Sequence, residues 1–191
     1  TSSSDYKVLQ FKANSVKTLK QFQADNKSRI GSSELPVSIV AQMTATLATQ
    51  LSYIIKTEKR TLIGYNSENV IVINDKKFAF LGSELVTEIE DNMSQISYPF
   101  SKTDFFVSPE LLKIKTLPSM VHYKTAYFSL ACLILGVLLL DDDYYNEYIK
   151  DGDCVKMMDY LNKHRIKGTK LYWLLSRCLV DEPEKRCILF I

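Results

Sequence analysis

Fifteen consecutive residues, Ala126 to Leu140, read AYFSLACLILGVLLL, and only Ser129 and Gly136 interrupt their apolar character. A bilayer-spanning helix needs about 20 such residues. This run is shorter, and it stops at Asp141-Asp142-Asp143, which hydrocarbon would reject. It is also apolar all round, and a helix of that kind needs neighbours on every side. The chain is therefore expected to wrap other elements around one central buried helix, with no membrane segment. No charged-then-apolar signal sequence opens the chain.

The rest of the composition agrees with a packed domain. In 191 residues, 46% are hydrophobic and the formal net charge is only +2, outside the range of disordered chains. One domain is expected over 1–191. The 24 basic residues are offset by 22 acidic ones, so nucleic acid is not an expected partner. The four cysteines lack the spacing of a disulfide scaffold and suit a reducing, intracellular setting. Cys132 and Cys178 read as small buried hydrophobes. The chain opens Thr1-Ser2-Ser3-Ser4 without a methionine, which reads as a fragment.

Along the chain, Tyr6 to Phe11 alternates weakly as a short strand would. Val16, Leu19 and Phe22 have helical spacing, and the polar stretch Asn26 to Ser33 reads as a loop. Pro36 suits a first helical turn with Ser33 as its cap. Ile39, Val40, Met43, Leu47, Leu51, Ile54 and Ile55 then recur at steps of three and four, which predicts an amphipathic helix of about five turns. Asn69 to Ile73 and Phe78 to Leu81, joined by Asn74-Asp75-Lys76-Lys77, predict a hairpin. Gly82 to Val107 has no sustained period and reads as a long loop, an uncommon feature that is often functional. Helices are expected again near Pro109, in the apolar run, over Cys154 to His164 and over Lys170 to Val180. The expected class is mainly α, with one small hairpin and a short N-terminal strand.

Common catalytic signatures are missing. The sequence contains no G-x-S-x-G, Walker or G-x-G-x-x-G pattern. Its two histidines, His122 and His164, have no partners at metal-ligand spacing. One acidic run without a loop does not make a calcium site. No metal and no cofactor is expected.

Three stretches are informative in their order. Leu62-Ile63-Gly64-Tyr65-Asn66-Ser67-Glu68-Asn69 precedes the hairpin, Phe80-Leu81-Gly82 ends it, and Ser108-Pro109-Glu110 follows the long segment. This order resembles the C-terminal lobe of protein kinases, in which H-R-D-x-x-x-x-N, D-F-G and A-P-E succeed one another. Asn69 stands in register with the last residue of the first motif. Cys178 to Arg186, with Asp181-Glu182-Pro183-Glu184, is similar to the segment whose arginine pairs with the A-P-E glutamate. The resemblance thus implies an architectural ion pair between Glu110 and Arg186. It also makes the apolar run the buried helix of the lobe, with residues 1–14 as hinge strand and hinge and 15–191 as the helical lobe.

The departures from that pattern bear on activity. The resemblance puts the catalytic aspartate at Gly64, the metal-binding aspartate at Phe80 and the aspartate that braces the catalytic loop at Ala126. None of these residues can do that work. The phosphate-clamping lysine and its glutamate partner would precede Thr1. Phosphoryl transfer depends on positioning and charge stabilisation, so the chain is expected not to be an enzyme. Some kinase-like families use a lone C-lobe to bind peptides, and others mimic part of a kinase. The expected function is accordingly a non-catalytic module that binds or scaffolds another protein, including a kinase or an N-lobe-like partner. The candidate surface is Phe11, Lys12, Ala13, Tyr65, Phe80 and Leu81, which an N-lobe would cover. Leu85 to Phe106, with Tyr98, Phe100, Phe105 and Phe106, is a second candidate. An alternative is the C-lobe of a larger pseudokinase or divergent Ser/Thr kinase. A third reading is a helical subunit of an assembly.

Overall fold

The apolar run forms the helix α4 (Thr125–Leu139). Phe128, Leu130, Ala131, Leu133, Ile134 and Leu138 on it have no measurable exposure. With Ser129, also without exposure, these side chains lie around the whole circumference of the helix, so the burial is produced by neighbours on all sides. A computed structural model describes residues 12–30, 35–139 and 149–189. The expected strand Tyr6 to Phe11, the cap Ser33 and the acidic run Asp141 to Asp143 lie outside the described residues.

The chain runs β1 (Val16–Thr18), α1 (Leu19–Ile30), α2 (Val37–Thr57), β2 (Arg60–Leu62), β3 (Val70–Ile73) and β4 (Lys77–Phe80). A single 3-10 turn, Ser83–Leu85, leads into β5 (Val86–Glu88) and β6 (Met93–Ile96). Then come α3 (Pro109–Leu112), β7 (Ser119–His122), α4, α5 (Cys154–Lys163) and α6 (Lys170–Cys178). A last 3-10 turn covers Pro183–Lys185.

The long amphipathic helix is α2, which buries Val40, Met43, Leu47 and Leu51 against α4, β2 and β4. Pro36 occupies its N-cap position, one residue before the first turn. Its missing N–H costs nothing there. The hairpin is β3–β4, with Val70 opposite Phe80 and Ile73 opposite Lys77. Asn74 and Asp75 between them take positive φ values of 52° and 56°, the pair of left-handed residues that a tight hairpin turn requires. The two late helices are capped from the side chain. Asp153 accepts from Val155 N and Lys156 N, and Thr169 accepts from Tyr172 N.

The expectation of a mainly α chain with one hairpin is corrected by the sheets. Among the described residues there are three antiparallel sheets, ordered β1-β3-β4, β2-β5 and β6-β7. The class is mixed α/β. Residues 82–107 are not one long loop, because they contain β5 and β6. Glu90 bridges to Met93 around Asp91 and Asn92, both at positive φ, so β5 and β6 are joined by a tight turn. Val16 to Thr18 is a strand rather than the start of the helix, and the helix instead continues to Ile30 through the expected loop. These strands are three or four residues long. Two alternations cannot be distinguished from irregular chain by period, and the partners are distant in sequence.

Candidate functional site

The segment between β2 and β3, residues 63–69, is held from three directions. Ile63 N donates to Leu85 O at 2.9 Å, which extends the β2–β5 pairing. Phe106 N donates to Tyr65 O at 2.8 Å. From below, Ser129 on α4 receives Tyr65 N on its Oγ at 2.7 Å and donates the same hydroxyl to Phe106 O at 2.5 Å. One buried hydroxyl therefore satisfies a donor on one segment and an acceptor on the other. Asn66 closes the segment by accepting from Glu68 N and Asn69 N at 2.9 and 2.7 Å.

Ser129 is the residue that sequence reasoning missed. Ala126, to which the resemblance assigned a bracing aspartate, has no polar side chain, whereas Ser129, one turn further along the same helix, bonds both segments. The available signal was Ser129 itself, the one aliphatic hydroxyl within the apolar run. A buried hydroxyl in such a run requires partners.

Gly64 is packed against the edge of the Phe105 ring. A Cβ at Gly64 would lie 2.1 Å from Phe105 Cδ2 and 2.8 Å from Cε2. The space beside the backbone at this position is thus filled by Phe105, which is 7% exposed and tilts against Phe100 at 5.9 Å. Tyr65 and Phe80 meet edge to face at 5.0 Å. Burial pushes the Tyr65 phenol far above its ordinary range. Gly82 is equally confined, since a Cβ there would fall 2.6 Å from Phe80 Cζ and 2.9 Å from Asn69 Nδ2. Asn69 Nδ2 donates to Glu84 Oε1 at 3.0 Å, and Leu81 N donates to Asn69 O at 2.9 Å.

The structure separates the expected partner-facing residues. Lys12, Ala13 and Leu81 are exposed, Leu81 by 63%. Phe11 lies outside the described residues. Tyr65 and Phe80 are 1% and 5% exposed, so their rings belong to the core and not to a docking surface. The backbone of Phe80 is also occupied: Gln50 Nε2 donates to Phe80 O, and Phe80 N donates to Gln50 Oε1, both at 2.9 Å. Of the aromatics in the long segment, Phe105 is buried and Phe106 and Phe100 pack against the core, while Tyr98 is 82% exposed.

Glu110 and Arg186 are brought together although they are 76 positions apart. Arg186 Nη1 donates to Glu110 Oε1 at 2.5 Å, and Nη2 donates to Oε2 at 2.8 Å, a bidentate pair. Arg186 has no exposed surface. Its Nε donates to Val180 O and its Nη2 also to Asp181 O, at 2.7 and 2.9 Å. The Phe128 ring of α4 lies 4.9 Å from the guanidinium carbon. These contacts tie α3, α4 and the segment after α6 together.

Burial raises all three of the partly or wholly buried thiols, with Cys154 pushed up to about 11 and Cys178 to about 12, opposite to what a thiolate nucleophile needs. Among the described residues no three His, Cys, Asp or Glu side chains cluster closely enough to hold a metal ion, and no helix is long and apolar enough to cross a membrane. An open groove of about 730 Å³ runs between the 63–69 segment, β5 and residues 95–105. No protein-family model matches the chain, and no curated protein matches it.

Proposed function

We propose that this chain is a divergent relative of the protein kinase C-terminal lobe that binds another protein and does not transfer phosphate. The observation that carries the reading is the aromatic filling around Gly64. At the position the resemblance assigns to a catalytic base there is no side chain, and Phe105 takes up the space one would need. Phe80, at the position assigned to a metal ligand, is 5% exposed and packs on Tyr65. A magnesium ion needs oxygen ligands and room for its waters; Phe80 offers only ring carbons at that position, and the neighbouring Asn69 and Glu84 side chains are hydrogen-bonded to each other. By contrast, the Glu110–Arg186 pair, which the resemblance makes architectural, is complete. Loss of chemistry alongside retention of architecture supports a binding role.

The test is a thermal unfolding series with ATP and magnesium, paired with a phosphate-transfer assay on a general acceptor protein. No shift and no transfer are expected. Occupancy at 100 times the Kd would add about 2.7 kcal/mol of stability, or roughly 5–10 °C in a chain of this length. A shift of that size, or measurable transfer, overturns the reading.

A further inference from the structure

The groove beside the 63–69 segment has a distinct chemical character, and the inference from it rests on the reading that the chain is a protein-binding module. Its floor is apolar, with Ile63, Leu85, Ile96 and Phe105 buried. The carboxylates that line it are Glu84, Glu88 and Asp104, all exposed, and among the described residues no lysine or arginine lines it. In a chain with 24 basic and 22 acidic residues, that is a local segregation of sign. Lys102, the cation nearest in sequence to Asp104, is committed elsewhere. Its Nζ donates to Leu112 O and Ile114 O at 2.7 and 3.0 Å. Arg60 lies 3.6 Å from Glu88, with side chains 52% and 85% exposed, a weak surface pair that an incoming cation can replace.

The wall of the groove adds an aromatic component. Tyr98 lies in it with 82% of its surface exposed, beside Pro99 and Phe100. An exposed ring in a groove that also carries carboxylates suits a guanidinium, which can lie over a ring face while its N–H groups reach an oxygen. At about 730 Å³ the volume falls in the range of ligand sites, roughly 300–1,000 Å³, and holds a few residues of extended chain. Phosphate-bearing ligands are repelled by the rim, and a bare metal ion lacks a close carboxylate cluster.

We propose that this groove docks an extended peptide segment in which arginine or lysine side chains alternate with apolar ones. The apolar residues lie on the floor formed by Ile63, Leu85 and Ile96, and the cations pair with Glu84, Glu88 and Asp104.

The probe is a fluorescein-labelled peptide in which arginine alternates with valine around a single serine, compared by anisotropy with the same peptide carrying glutamate for arginine. The arginine peptide is expected to bind saturably and to weaken with added salt, and the glutamate peptide not to bind. Combining Glu84→Gln with Asp104→Asn is expected to weaken binding about tenfold without changing the melting temperature, because both side chains are exposed. Tyr98→Ala is expected to weaken it too, and Asp159→Asn, outside the groove, to leave it unchanged. Equal binding of both peptides, no saturable binding, or an unaltered affinity in the Glu84/Asp104 variant overturns the proposal. The same serine-containing peptide incubated with ATP and magnesium separates the two readings. Phosphate incorporation overturns the non-catalytic reading and leaves the groove intact, whereas absence of both binding and incorporation overturns only the groove.

Discussion

At the scale of single residues, Arg186 dominates. It is a fully buried cation with five donated hydrogen bonds, two of them to one carboxylate. A buried pair is a modest net stabiliser against an apolar replacement, but breaking it from one side leaves an unpaired charge. Arg186→Ala is therefore expected to destabilise by about 3–5 kcal/mol, read as a shift of the urea midpoint. Arg186→Lys should rescue little, since an ammonium cannot reproduce the planar fork that spans Glu110, Val180 and Asp181. Recovery of near-wild-type stability in the lysine variant would refute the role given to that fork.

Gly64 is governed by sterics rather than charge. Gly64→Ala puts a methyl group 2.1 Å from a Phe105 carbon, and overpacking of this kind costs about 1–3 kcal/mol. In a Phe105→Ala background the same substitution should cost much less, and the double-mutant cycle measures that coupling directly. Gly64→Asp should confer no phosphate transfer, because the ring occupies the space the carboxylate would need.

His122 predicts a pH effect. Burial, with Lys124 as the lesser cause, holds its imidazole below the ordinary 6.5, and its Nδ1 accepts from Lys124 N at 3.2 Å. A depressed folded value means that the neutral ring's contribution is complete above about pH 6.5 and is lost as the pH falls through the folded value. Wild-type stability should therefore decline on acidification through this window more than that of His122→Gln. Parallel decline of the two denaturation midpoints would exclude His122 as the origin.

At the scale of elements, Ser129 links α4 to the two segments above it. Ser129→Ala leaves Tyr65 N without its buried acceptor and removes the donor to Phe106 O. The desolvation penalty for such a group is about 1–3 kcal/mol. Hydrogen exchange should locate the effect, with the Tyr65 and Phe106 amides losing protection before those of α2. Gln50 acts in a similar way at the end of β4, where its amide plays the part of a strand neighbour for both polar groups of Phe80. In each case a side chain from a helix completes the backbone pairing of a short strand or loop, and this allows strands of three or four residues to persist without wide sheets.

At the scale of the whole molecule, one apolar cluster runs from Leu19 through α2, the hairpin and α4 to Leu179. Because α4 is buried on all sides, its side chains are shared by every neighbour. Leu133→Ala, at a position with no exposure, is expected to cost about 2–5 kcal/mol. It should also shift tryptophan fluorescence and far-ultraviolet circular dichroism by the same amount, since Trp173 belongs to α6, which packs on α4. Non-coincident transitions would show that α6 unfolds separately.

The amino-acid sequence by itself determined the elements whose signal is local. The uniform apolarity of Ala126 to Leu140 specified a buried helix, steps of three and four specified α2, and Asn74-Asp75 between two β-branched or aromatic stretches specified a hairpin. Pairings over long range were decided only in three dimensions. Strands β2, β5, β6 and β7 are too short to carry a period, so backbone hydrogen bonds to distant partners, rather than local propensity, make them strands. The same holds for the site. The resemblance drew attention to Gly64 and Phe80, but only packing revealed that Phe105 fills the space beside Gly64, that Tyr65 and Phe80 face inward and that Ser129 joins the Tyr65 and Phe106 segments. Local periodicity reports which face of an element is apolar, whereas the neighbour that covers that face is chosen by shape and by the need to satisfy every buried polar group.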